Sequence, residues 1–136
     1  MAYLRLSNLY SLLDFFFMVL HSCIILFNTL GWIWKKTRVY NLLLLLLTAF
    51  SWFILGIWKG WGYCFLTDWH YRVLEKLGYR DLPDSYIQFF IGRIFNWNAP
   101  QKLVVTVTAI IFFAALAISA FLNVRDWRNK KLQDVV

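Results

Sequence analysis

Three long stretches of the chain are apolar almost without interruption. The first runs from about Leu9 to Ile33, with Phe15, Phe16, Phe17, Leu20, Ile24 and Ile25 at its centre. The second, from about Tyr40 to Trp61, opens on an unbroken leucine run from Leu42 to Leu47. The third runs from about Leu103 to Val124. Each has about 20 residues or more, enough at about 1.5 Å per residue to cross a hydrocarbon layer of about 30 Å. The pattern predicts three transmembrane helices. The first stretch is too long for a signal-peptide core, carries Asp14 and His21, and lacks a small-x-small cleavage site. It is therefore expected to be a retained span.

The loop over residues 62–101 is also patterned. Thr67 or Asp68 can cap a short helix ending near Leu77, with Gly78 as its stop. On a helical wheel Trp69, His70, Val73, Leu74 and Leu77 share one face, and Arg72, Glu75 and Lys76 take the other. Asp81-Leu82-Pro83-Asp84 breaks the chain, and Ser85 and Gln88 then have capping-box spacing. The helix they open is expected to reach about Trp97, with Ser85, Gln88, Gly92 and Asn96 as a narrow polar strip. At about 13 residues it is too short to span, so it is expected to be an interfacial or re-entrant helix. Pro100 is placed to open the third span. The expected fold class is an all-α membrane protein, with three transmembrane helices and two short interfacial helices between spans two and three. It forms one integral membrane domain over residues 1–136.

Composition supports this. Hydrophobic residues make up 61% of the chain and charged residues 15%, whereas soluble domains sit nearer a half and a quarter. The formal net charge of +7 raises nucleic acid as a partner. Yet the basic residues flank apolar runs and form no continuous stripe, so they read as orienting charges. Lys35, Lys36 and Arg38 lie between spans one and two, and Arg125, Arg128, Lys130 and Lys131 follow span three. The positive-inside rule puts both groups in the cytoplasm, leaving the N-terminus and the long loop outside, although Arg5 and Lys59 run against it. The two cysteines, Cys23 and Cys64, form no CxxC. This topology separates them by about 20 Å in depth, too far for a disulfide.

The sharpest chemical pattern lies in span one. Ser7, Asp14, His21 and Asn28 recur every seven residues, which returns each to within about 20° of the last and gives the helix one polar face. Ionisable groups are expensive in lipid, so this face should pack inward. One reading is a proton path, or a histidine that binds haem. The other is a polar seam that fixes helix pairing. The seam is preferred, because spans two and three offer no second His and no carboxylate. Thr48, Ser51, Thr108, Ser119 and Asn123 are the expected partners. A second constellation, Cys64, Asp68 and His70, has ligand-type residues without zinc-site spacing. The plainer reading there is a capped helix with His70 tucked beneath it, and no bound metal. No hydrolytic or phosphate-loop motif occurs.

Gly60-Trp61-x-x-Cys64-x-Leu66-Thr67, a charged helix, Gly78-Tyr79 and an aromatic-rich amphipathic helix resemble a bacterial membrane family, domain-of-unknown-function family 2784. His21, followed by the Leu30-Gly31 pair, matches its first span. The resemblance implies three spans in a bacterial inner membrane and no assigned activity. The expected function is a small non-enzymatic integral membrane protein, an accessory or scaffold subunit partnered by the bilayer and by other membrane subunits. The alternatives are a haem- or redox-associated protein using His21, and an oligomeric transporter or proton-path subunit using Asp14 and His21.

Overall fold

The structure, a computed structural model, describes all 136 residues. It contains five helices and no strand: α1 (Ala2–Leu30), α2 (Arg38–Lys59), α3 (Phe65–Lys76), α4 (Tyr86–Phe95) and α5 (Gln101–Val135). Three of them, α1, α2 and α5, are long and apolar enough to cross a bilayer. Two run well beyond the expected apolar limits. α1 begins near the start of the chain, since nothing between Ala2 and Leu9 breaks a helix. α5 continues past Val124 because Arg125 to Val135 holds good helix formers and neither Gly nor Pro.

The α1–α2 hairpin is drawn together by side chains that bond the end of α1. Thr37 Oγ1 donates to the Gly31 carbonyl at 2.6 Å, and Arg38 Nε to that of Trp32 at 2.9 Å. The fully buried Asn41 donates Nδ2 to the carbonyls of Phe27 at 2.6 Å and Asn28 at 3.3 Å. These bonds go to carbonyls at and just past the end of α1, where helical partners run out, although that of Phe27 also accepts from the Gly31 amide at 2.8 Å. Gly31 lies in the crossing. A Cβ there would stand 2.5 Å from the Phe27 carbonyl oxygen and 2.9 Å from Asn41 Nδ2. Along α2, Leu45 packs with Phe112 and Ala115 of α5, and Trp52 lies against that cluster.

Near its end α2 loosens into a π-helical stretch, Ser51–Leu55. Two groups of this stretch bind the chain that follows. The Trp52 carbonyl accepts from the Gly62 amide at 3.3 Å, and Ser51 Oγ donates to the Tyr63 carbonyl at 2.9 Å. Gly60 at φ 108° and Gly62 at φ 82° allow this reversal. The chain thus doubles back beside α2 before α3 begins. This corrects the expected separation of the cysteines in depth: Cys64 Sγ lies 4.0 Å from Nε2 of His21, a residue two positions from Cys23. Both thiols are free, and Cys23 is exposed.

α3 and α4 lie against α1, where Leu74, Tyr86 and Phe89 pack with Met18 and Ile25. α3 starts earlier than expected. Cys64, in an extended conformation, is its N-cap in place of Thr67 or Asp68, while Gly78 ends it at φ 93° as expected. Its buried stripe is Thr67, His70 and Leu74, narrower than the predicted face. Trp69 is 52% exposed, because it points away from the row that meets α1. In α4, Ser85 Oγ accepts from the Gln88 amide at 3.4 Å. Gln88 does not complete a capping box, since its side chain donates to the Ala99 carbonyl at 3.1 Å. α4 stops at Phe95, short of Trp97, where Asn96 turns left-handed at φ 50°.

Candidate functional site

Asp14 stands on the polar face of α1 and is 7% exposed. Its carboxylate is fully engaged by the loop. Arg93 of α4 donates Nη1 to Oδ1 at 2.8 Å and Nη2 to Oδ2 at 2.7 Å, a two-pronged pair. His70 of α3 adds Nε2 to Oδ1 at 2.7 Å. One carboxylate on α1 therefore ties down both loop helices.

The bonding assigns the state of His70. An ionised carboxylate only accepts, so Nε2 carries the proton and Nδ1 is bare. Arg93 already balances the Asp14 charge, which leaves His70 no need to be cationic. Burial, opposed by the Asp14 bond, holds its pKa below the usual imidazole value. His70 is 0% exposed and is walled by the rings of Phe17, Tyr86 and Phe89. Arg93 lies over the Phe89 ring, 5.8 Å from its centroid. Its outer edge borders a cavity of about 280 Å³ between Tyr79, Gln88, Trp97 and Asn98.

Two turns along α1, His21 is stacked on Tyr86 with ring centroids 3.7 Å apart. Its Nε2 is 4.0 Å from Cys64 Sγ, and its Nδ1 has no partner. The Tyr86 hydroxyl donates to Met18 Sδ at 3.3 Å, and burial pushes that phenol up to about 12. His21 Nδ1, Thr67 Oγ1 and His70 Nδ1 are all buried and unpaired along the α1–α3 contact. Such atoms cost about 1–3 kcal/mol each when left without a partner.

The remaining predicted residues are scattered. Asn28 Nδ2 donates to Thr48 Oγ1 at 3.0 Å, the one stripe residue bonded to a side chain among its expected partners. Ser7 bonds within its own helix, to the Leu4 carbonyl at 2.9 Å. Ser51 and Asn123 bind backbone carbonyls of Tyr63 and Arg38 instead of the stripe. The expectation that spans two and three would satisfy Asp14 and His21 is thus corrected: the folded-back loop covers that half of α1. Cys64, Asp68 and His70 do not converge, since Asp68 turns to the Tyr63 hydroxyl at 3.3 Å and to Arg72 at 3.0 Å. Arg93 was missed by the sequence patterns, although a signal exists. It is the sole charge in α4, and Asp14 is the sole acid in α1.

A family model described as Protein of Unknown function (DUF2784) matches residues 11–124. Comparison with curated proteins finds no match, and comparison with solved structures finds none either.

Proposed function

Since the chain belongs to the DUF2784 family, a family of unknown function, we propose from its geometry that it is a non-enzymatic integral membrane protein whose polar α1 face clamps the long loop onto the bundle, and that it serves a larger membrane assembly as an accessory or scaffold subunit. The observation that carries the clamp is the Asp14 carboxylate, whose three bonds all go to loop side chains. A carboxylate held by a two-pronged arginine is poorly suited to exchange protons or to bind a second ligand.

The membrane placement is supported by burial. Only 17 of 136 residues are buried, while Phe15, Leu46, Ile110 and Phe121 stand at least half exposed on the long helices. Surface of that kind needs lipid or partner helices to cover it. The small share buried within the chain supports a subunit role, since partner helices can take part of a surface that lipid would otherwise cover. We place the protein in a bacterial inner membrane, with α3 and α4 outside and the basic end in the cytoplasm. Cross-linking in native membranes, followed by purification in mild detergent, tests the subunit role. Recovery of a fixed set of partner chains is expected, and recovery of the chain alone would refute it.

A second reading has one observation in its favour. The unpaired Nδ1 atoms of His21 and His70 flank Tyr86 and could pass a proton through internal water. Proton flux in vesicles that survives His21→Leu would eliminate this path. Haem ligation by His21 requires its imidazole to leave both Tyr86 and Cys64, so it is the less economical alternative. An absorption spectrum of the purified protein decides it.

A further inference from the structure

Charge is divided unevenly between the two ends of the bundle. The α1–α2 hairpin and the far part of α5 meet at one end, where Arg38 Nη1 donates to Asp126 Oδ2 at 2.7 Å and Asn123 Nδ2 to the Arg38 carbonyl at 3.0 Å. The hairpin brings Lys35, Lys36 and Arg38, and α5 brings Arg125, Arg128, Lys130 and Lys131. Against these seven cations stand two carboxylates, Asp126 and Asp134, a net +5. The rest of the chain holds the other seven cations and five carboxylates, a net +2 of the total +7. Arg38 and Arg125 are engaged by Asp126, at 2.7 and 3.3 Å. Lys35, Lys36, Arg128, Lys130 and Lys131 are exposed and make no salt bridge.

Tryptophans lie among these free cations. Trp34 is 61% and Trp127 59% exposed, and Lys131 Nζ sits 4.6 Å above the Trp127 ring. Exposed indoles beside unpaired lysines, at the level where the apolar parts of the three long helices end, have the chemistry of a lipid headgroup layer. A protein partner fits less well, because lysine is depleted at protein interfaces and four of the seven cations are Lys.

We propose that this end of the bundle binds anionic phospholipid headgroups, with Lys35, Lys36, Arg128 and Lys131 meeting the phosphates and Trp34 and Trp127 at the acyl boundary. This rests on the membrane placement given above. A headgroup held between hairpin and helix end would brace the projecting part of α5, which otherwise has only the Asp126 and Asn123 contacts to fix it.

The test uses the whole protein in nanodiscs of equimolar phosphatidylcholine and phosphatidylglycerol, with the lipids that stay bound counted by native mass spectrometry. Phosphatidylglycerol should be retained over phosphatidylcholine by about fivefold or more. The variant Lys35→Gln/Lys36→Gln/Arg128→Gln/Lys131→Gln should bring the ratio close to one, and Arg72→Gln/Lys76→Gln should leave it unchanged. Equal retention in the unmodified protein, or a ratio unmoved by the four substitutions, overturns the inference. Complete displacement of phosphatidylglycerol by millimolar inorganic phosphate would overturn it in favour of a free anion, and displacement by poly-glutamate in favour of an acidic protein. Failure to enter pure phosphatidylcholine discs is a separate result and refutes the membrane placement itself.

Discussion

Asp14, Arg93 and His70 show how a single buried charge organises side chains far apart in sequence. An unpaired carboxylate in an apolar helix would be driven to protonate or to find water. Here two loop helices bring donors to it, and breaking such a pair costs more than it gains in forming, because the survivor is left buried alone. His70 adds a pH dependence. Burial holds its folded pKa below the free value of about 6.5. Between the folded value and about 6.5 the unfolded loop binds a proton that the folded loop does not. The contribution of neutral His70 is therefore complete above about pH 6.5 and is lost as the pH falls through that window. Limited proteolysis of residues 65–95 should accelerate as the pH drops below about 6.5, and His70→Gln should weaken that dependence. A profile identical in the variant would show that His70 is not the titrating group.

Hairpin and loop helices depend on close approach. Gly31 at the α1–α2 crossing has no room for a methyl group, so Gly31→Ala should destabilise the hairpin by about 1–3 kcal/mol. Thermal unfolding of the variant in detergent would measure this, and an unchanged midpoint would mean that the crossing can yield. For α3, spin labels at Leu74 should be shielded from water and labels at Lys76 open to it. Equal accessibility would detach α3 from α1. Much at this level was legible in the sequence. The leucine run, the aromatic-rich stretches and the glycine at the end of α3 announce the helices, because apolar runs and helix termination are local in sequence. The doubled-back chain was not legible. It depends on a π-helical stretch and on Ser51 meeting Tyr63, contacts that carry no periodic signature. The seven-residue recurrence of Asp14, His21 and Asn28 indicates a packing face, but not that loop helices cover the part of it that holds Asp14 and His21.

The whole molecule joins an apolar bundle, a basic end and a polar clamp at the opposite end. Cysteine labelling from outside the cell should reach a residue introduced at Arg80 and miss one at Lys130. The reverse pattern would invert the proposed topology and leave the clamp intact, since Asp14, Arg93 and His70 meet whichever way the bundle faces. The clamp is tested by a double-mutant cycle of Asp14→Asn and Arg93→Gln in nanodiscs, read by hydrogen exchange of Tyr86–Phe95. Each single substitution should lower protection of α4 by on the order of 3 kcal/mol. The pair together should lose at least about 1 kcal/mol less than the two single losses combined. Strictly additive losses, or an α4 as well protected in the Asp14→Asn variant as in the unmodified protein, would show that Asp14 and Arg93 do not clamp α4 to α1.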